Sequence, residues 1–260
     1  MTDLIIYVSM GIIAGISSGL FGIGGGMIIV PLALTLGISS HSAVALSVVQ
    51  MIFSSVFGSY INYKKKNFDL KDGLFVGLGG LIGASFSGLV LKLLSDVTLT
   101  ALFLCLSIVF FLKYAFDVKN AVHQSQRSEL SKKVILVGAG ALTGVFAISF
   151  GIGGGLLIAP ILGYFLGYDS KKVVPLSLFF VVFASLSGAT SFIMQGVIDS
   201  SILYNGSLVG IGSMIGVFLG IKIIEKMKTT AHRKVLLFVY LLSISMTAFA
   251  LLRKLGIVEL

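Results

Sequence analysis

The sequence predicts an all-α membrane protein built from two inverted-topology repeats of about five hydrophobic segments each, with broken helices at two glycine motifs. Three observations lead there. Of the 260 residues, 57% are hydrophobic and 11% charged, whereas a soluble domain spends about a quarter of its residues on charge. The charges are clustered, leaving uncharged stretches near the roughly 20 residues a helix needs to cross a bilayer. One ordered string of identities also runs through the chain twice. A membrane β-barrel would show short segments of alternating polarity in place of these continuous apolar runs.

Divided at charges, glycine clusters and turn residues, the chain gives ten apolar segments: 4–21, 24–37, 42–61, 74–94, 98–116, 134–150, 153–167, 173–194, 202–224 and 234–252. The first follows Met1-Thr2-Asp3 without a basic leader, so no cleaved signal peptide is expected. Segments two and seven are short for full spans, and each follows a glycine-rich string. Threading the chain back and forth places sixteen of the 19 Lys and Arg residues on one side, from Lys64 to Lys234. Only Lys92, Arg253 and Lys254 fall on the other. Omitting segment two or seven destroys that split, whereas counting them as spans or as returning arms of hairpins preserves it. Cations gather on the cytoplasmic side, which puts both termini outside, in a bacterial inner membrane. The net charge of +9 follows from this excess and calls for no nucleic-acid partner.

The halves are related by duplication. Gly11, Gly15, Phe21-Gly22-Ile23-Gly24-Gly25-Gly26, Ile29 and Pro31 match Gly140, Gly144, Phe150-Gly151-Ile152-Gly153-Gly154-Gly155, Ile158 and Pro160. Gly37, Leu46, Ser47 and Gly58 match Gly167, Leu176, Ser177 and Gly188. Gly73, Val76, Gly77, Gly79, Ile82 and Gly83 match Gly206, Val209, Gly210, Gly212, Ile215 and Gly216. Five segments per half is an odd number, so the second half enters the membrane upside down, a plan common among secondary transporters. The divisions are 1–117 for the first repeat, 118–133 for a cytoplasmic linker that holds His123 and Arg127, and 134–260 for the second repeat.

The glycine strings carry the functional expectation. Each glycine costs about 1 kcal/mol in a helix interior, so such strings break helices. Broken backbone at membrane depth is tolerated only inside protein or beside a polar cavity. A half-helix starting just after each string would present free amides and a partial positive charge, which suit an anion. The expected substrate-binding groups are Gly24, Gly25, Gly26, Gly153, Gly154 and Gly155. To these we add Ser47, its repeat partner Ser177, and Gln50, whose amide needs several partners in hydrocarbon. Ser47, Gln50 and Ser54 follow helical spacing and share a face. The other small residues spaced by four, such as Gly79 and Gly83, are assigned to close helix packing. No Asp or Glu lies mid-segment, which disfavours a cation substrate. His41, His123 and His232 fall in predicted loops without ligand spacing, and Cys105 sits among Leu104, Leu106 and Ile108. Neither a metal, a cofactor nor a catalytic group is therefore expected. The expected partners are a small anionic substrate and membrane lipid. A passive anion channel and a membrane-embedded enzyme are the alternatives.

The paired string of glycines, each followed by a short apolar segment with a proline, resembles the sulfite/organosulfonate exporter family (TauE/SafE). The stretch Gly37-Ile38-Ser39-Ser40-His41-Ser42-Ala43-Val44-Ala45-Leu46-Ser47 resembles that family's continuation after its first motif. The family tends to carry Thr-Ser where this chain has Leu46-Ser47 and Leu176-Ser177, so a hydroxyl is missing at both places while the serines stay in register. The resemblance implies transport of sulfite, thiosulfate or an organosulfonate.

Overall fold

A computed structural model describes residues 2–116, 128–168 and 170–258. Its helices are α1 (Thr2–Phe21), α2 (Gly26–Thr35), α3 (Ser40–Lys64), α4 (Leu70–Ala84), α5 (Ser87–Leu93), α6 (Asp96–Ala115), α7 (Glu129–Ser149), α8 (Gly155–Leu166), α9 (Ser170–Met194), α10 (Ser200–Lys226) and α11 (Thr229–Lys254). Eight spans among the described residues are long and apolar enough to cross a membrane, α4 and α5 forming one of them; α2 and α8 are the two shorter apolar helices. The protein is thus an all-α, multi-pass membrane protein. Most of the expected linker and its His123 and Arg127 lie outside the described residues; its last residues belong to α7, which starts at Glu129.

Local chemistry explains where the long helices start. Ser39, Asp69, Ser95, Ser128 and Asp199 each accept an amide proton from the first turn of α3, α4, α6, α7 and α10, filling orphan donors that a helix start leaves open. The expected fourth segment, 74–94, is divided at Ser85–Phe86. The Ser191 hydroxyl from α9 donates to the Ser85 carbonyl at 2.8 Å and accepts from the Gly88 amide at 3.0 Å. It thereby satisfies both backbone groups that the break releases.

The small residues set the packing. On α1, Gly11, Gly15 and Gly19 lie against the α10 backbone at Val209, Ser213 and Val217, while Gly212, Gly216 and Gly220 lie against Val8, Ile12 and Ile16. Residue numbers rise together along the pair, so α1 and α10 run parallel. In the same way Gly79 and Gly83 of α4 meet Val137 and Ala141 of α7, and Gly140 and Gly144 meet Val76 and Gly80. Backbones approach this closely only where no side chain intervenes, which is how helices associate where lipid removes the hydrophobic drive. Gly73 and Gly77 admit the rings of Phe179 and Phe183, and their repeat partners Gly206 and Gly210 admit Val49 and Phe53.

Polar contacts sort the helix ends. At one end Lys65 pairs with Glu225, Lys132 with Asp72 at 2.7 Å, and Arg233 donates to the carbonyls of Tyr114 and Ala115. At the other end Lys254 pairs with Asp96 and donates to Ser40 and Thr100. The first end is the lysine-rich one. α3 and α9 form the centre, with 67% of their apolar windows buried, against 28% for the peripheral α6 and α11.

Candidate functional site

Both short helices begin at a glycine string at mid-depth. Gly25 lies against Ala14 of α1 and Gln50 of α3, residues near the middles of helices of 20 and 25 residues. At about 1.5 Å per residue, the 10 residues of α2 cover about half of a ~30 Å hydrocarbon core. α1 and α2 therefore make a span followed by a re-entrant arm. α2 ends at Thr35, whose carbonyl takes a hydrogen bond from Arg253 at the lysine-poor end. α8 leaves the centre the other way, since Tyr168 beyond it donates to Asp72 among the lysines.

The two strings touch. A Cβ at Gly26 would overlap the Gly151 carbonyl oxygen, one at Gly153 would overlap the Ile23 carbonyl, and one at Gly155 would stand 2.6 Å from the Gly22 oxygen. The crossing is pinned reciprocally: Ser47 donates to the Gly151 carbonyl at 2.9 Å, and Ser177 to the Gly22 carbonyl at 2.8 Å. The two serines are repeat partners, and each holds the other half's string. Their hydroxyl protons are committed to backbone, so what they supply to a site is position.

Free amides are the site's main resource. Unlike the long helices capped by Ser or Asp, α2 and α8 start at Gly25 and Gly154 with no side-chain cap. In the first string the next amides to find an acceptor are those of Ile28 and Ile29, both on the Gly25 carbonyl. Among the described residues the amides of Ile23, Gly24, Gly25, Gly26 and Met27 have no protein acceptor. All five residues are buried. Buried backbone donors are almost always paired, so five in succession mark a place that a ligand or water must complete. Gly22, Gly24 and Gly25 have φ of 69°, 71° and 87°; Gly25 is thus left-handed next to right-handed helix, a conformation that turns successive amides into an anion-binding concavity.

Gln50 completes the picture. Its residue is 0% exposed, yet neither its Nε2 nor its Oε1 has a protein partner. Oε1 stands 3.1 Å from where a Gly25 Cβ would be. Ser17 and Ser18 of α1, a turn beyond Ala14, and Thr143 of α7 are also buried with unpartnered hydroxyls. Spacing did not single these three out: hydroxyls that bond back to their own helix look the same in a sequence.

Further polar side chains are buried on α3 toward the lysine-rich end: Ser54 on the Gln50 side, Ser59 and Asn62 on other sides of the helix. Asn62 borders a cavity of about 270 Å³ at the lysine-rich end, lined in part by Gly19, Asn67, Val174 and Pro175. A second cavity of about 370 Å³ opens beside it, with Lys66, Asn67, Asp72, Lys132, Tyr168 and Leu176 on its wall. Burial, and then its hydrogen bond to Asp72, push the Tyr168 phenol up to about 12, so it stays a donor at neutral pH. Cys105 is free and exposed on the periphery of α6, and no cluster among the described residues could hold a metal ion.

Comparison with known proteins agrees with this architecture. The family described as "Sulfite exporter TauE/SafE" matches residues 7–247. A probable membrane transporter protein of Bacillus subtilis is 31% identical over 214 residues, covering 80% of this chain and 85% of that one. One from Methanocaldococcus jannaschii is 29% identical over 227 residues, covering 84% and 82%. A sulfite exporter TauE/SafE family protein of Arabidopsis thaliana is 31% identical over 133 residues, covering 49% of this chain and 28% of its own length. No solved structure matches.

Proposed function

We propose that this chain, which belongs to the TauE/SafE family of membrane transporters, carries a small sulfur-containing anion (sulfite, thiosulfate or an organosulfonate) by alternating access around the crossing of its two glycine strings. The observation that carries the reading is the pair of uncapped half-helices starting at mid-depth, with buried free amides at both starts. Helix N-termini favour anions through their open donors and their partial positive charge. The substrate site comprises Gly24, Gly25, Gly26, Gly153, Gly154 and Gly155 with Gln50, while Ser47 and Ser177 hold the strings in register. Repeats 1–117 and 134–260 form the two inverted halves. The lysine-rich end faces the cytoplasm and both termini lie outside, in a bacterial inner membrane.

Neutral donors hold an oxyanion without a permanent counter-charge, which suits a carrier that must also let it go. Among the described residues no acid–base pair adjoins the strings, and the Ser47 and Ser177 hydroxyls beside them are committed to backbone carbonyls, so the chain is read as a carrier and not an enzyme. The test is flux in proteoliposomes loaded with labelled sulfite, thiosulfate or an organosulfonate. Saturable counterflow of one of them, without electrical conductance, supports the carrier. Conductance far above carrier rates would make the protein a channel, and the absence of flux for every sulfur anion would remove the substrate assignment.

A further inference from the structure

The two strings are not equivalent, and the difference indicates which chemical form of the anion is held. The repeat partner of Gln50 is Phe180. The Phe180 ring, 0% exposed, packs directly on Gly154, the partner of Gly25. The backbone diverges at the same place: φ is 87° at Gly25 and −79° at Gly154. The amides diverge as well. Ile152 and Gly153 both reach the Ala147 carbonyl, at 2.9 and 3.4 Å, whereas their partners Ile23 and Gly24 reach nothing among the described residues. The first half thus keeps unpaired amides beside an unpaired glutamine, and the second half holds the same motif covered by an aromatic ring.

Gln50 brings two donors on Nε2 and an acceptor on Oε1, and all are unsatisfied. Leaving such groups unpaired in a buried place is costly. A fully deprotonated oxyanion could take the donors but would repel the Oε1 lone pairs. An oxyanion that keeps one proton satisfies both: its charged oxygens accept from Nε2 and from the amides of Ile23 to Met27, and its O–H donates to Oε1. This matching holds whichever way the amide is turned, because both of its ends lack a partner.

We propose that the first glycine string and Gln50 form the part of the substrate site that holds the anion's charge and selects a monoprotonated oxyanion, while Phe180 covers the pseudo-equivalent position in the second string. Resting on the sulfur-anion reading above, this names hydrogensulfite as the form of sulfite that is bound, ahead of sulfate and thiosulfate, which carry no proton near neutral pH.

The experiment is equilibrium binding to the purified full chain, from mildly acid to mildly alkaline pH at constant ionic strength. The ligands are sulfite, sulfate and methanesulfonate, with hydrogenselenite and hydrogencarbonate as protonated anions of other elements. Sulfite affinity is expected to fall about tenfold per pH unit once the hydrogensulfite proton is lost, and sulfate and methanesulfonate to bind at least tenfold more weakly. Gln50→Leu should abolish the preference for the protonated form while the ligand-free protein melts no lower than wild type, since a near-isosteric apolar group removes the unpaired amide. Binding of sulfite with no pH dependence, or unaltered in Gln50→Leu, would overturn the proposal. If sulfite does not bind but hydrogenselenite or hydrogencarbonate does, and depends on Gln50, the site stands and the sulfur assignment falls. If no protonated oxyanion binds through Gln50, the site itself is refuted.

Discussion

The serines at the crossing and the glycine between them make opposite predictions about what a single atom is worth. Removing the Ser47 hydroxyl leaves the Gly151 carbonyl buried without a donor, a loss of about 1–3 kcal/mol. Ser177→Ala does the same to Gly22. The two alanine variants should therefore melt lower by similar amounts, and each should weaken anion binding by displacing a string that its side chain does not belong to. A melting curve and a binding titration on each variant check this. Gly26→Ala is expected to yield no folded protein, because its Cβ would coincide with the Gly151 oxygen. Gly138 is the control. It sits within α7 with nothing inside 4 Å of its missing Cβ, so Gly138→Ala should stabilise by up to about 1 kcal/mol through helix propensity. If Gly26→Ala is expressed and folds as well as Gly138→Ala, the strings do not cross as described.

Among the elements, the parallel pairs α1–α10 and α4–α7 depend on glycine faces. In Gly216→Leu the new side chain would push into the Ile12 carbonyl, so the helices must separate along most of their length. The expected result is loss of the folded, detergent-stable protein, measured by size-exclusion profile. Ser191→Ala should cost less but act on the same scale, because both the Ser85 carbonyl and the Gly88 amide lose their partner at the α4–α5 break. The sequence announces much of this arrangement. Charge clusters and glycine strings located all ten segments, and spacing by four assigned the glycine faces to packing. It did not announce the break within segment four: its cause is a hydroxyl on α9, more than a hundred residues away. Nor did it reveal how the site is divided. A repeat found through identities passes over positions that differ, and Gln50 opposite Phe180 is such a position. The serines were legible as partners, but which atom each would bond depends on how the strings cross, and no local pattern encodes that.

On the scale of the whole molecule, the described cavities and the buried Asn62 of α3 lie toward the lysine-rich end, and a polar cluster closes the other end. There Lys254 of α11 meets Asp96 and Thr100 of α6 and Ser40 of α3, while the Ser40 amide and His41 also face Asp96. Arg253 adds a bond to the last turn of α2, the half-helix that starts at the site. Under alternating access, this cluster is the contact that must open for the site to reach the opposite side. The side chains are partly withdrawn from solvent, at 18% for Lys254 and 37% for Asp96. The pair therefore lies between an exposed one, at about 0–1 kcal/mol, and a buried one whose rupture costs about 3–5 kcal/mol. Breaking it should shift the balance between the two open states without unfolding the chain. In a Cys105→Ala background, a cysteine at Asn62, on the wall of the smaller cavity, reports access with membrane-impermeant thiol reagents. Wild-type geometry predicts labelling from the lysine-rich side. Lys254→Met should lower labelling from that side and slow net transport, because the cycle would then rest in the other state. An additional Asp96→Leu change should act further in the same direction, since the Ser40 amide and His41 then lose their partner as well. Unchanged labelling from that side, with transport intact, would reduce the cluster to a surface ion pair and place the gate elsewhere.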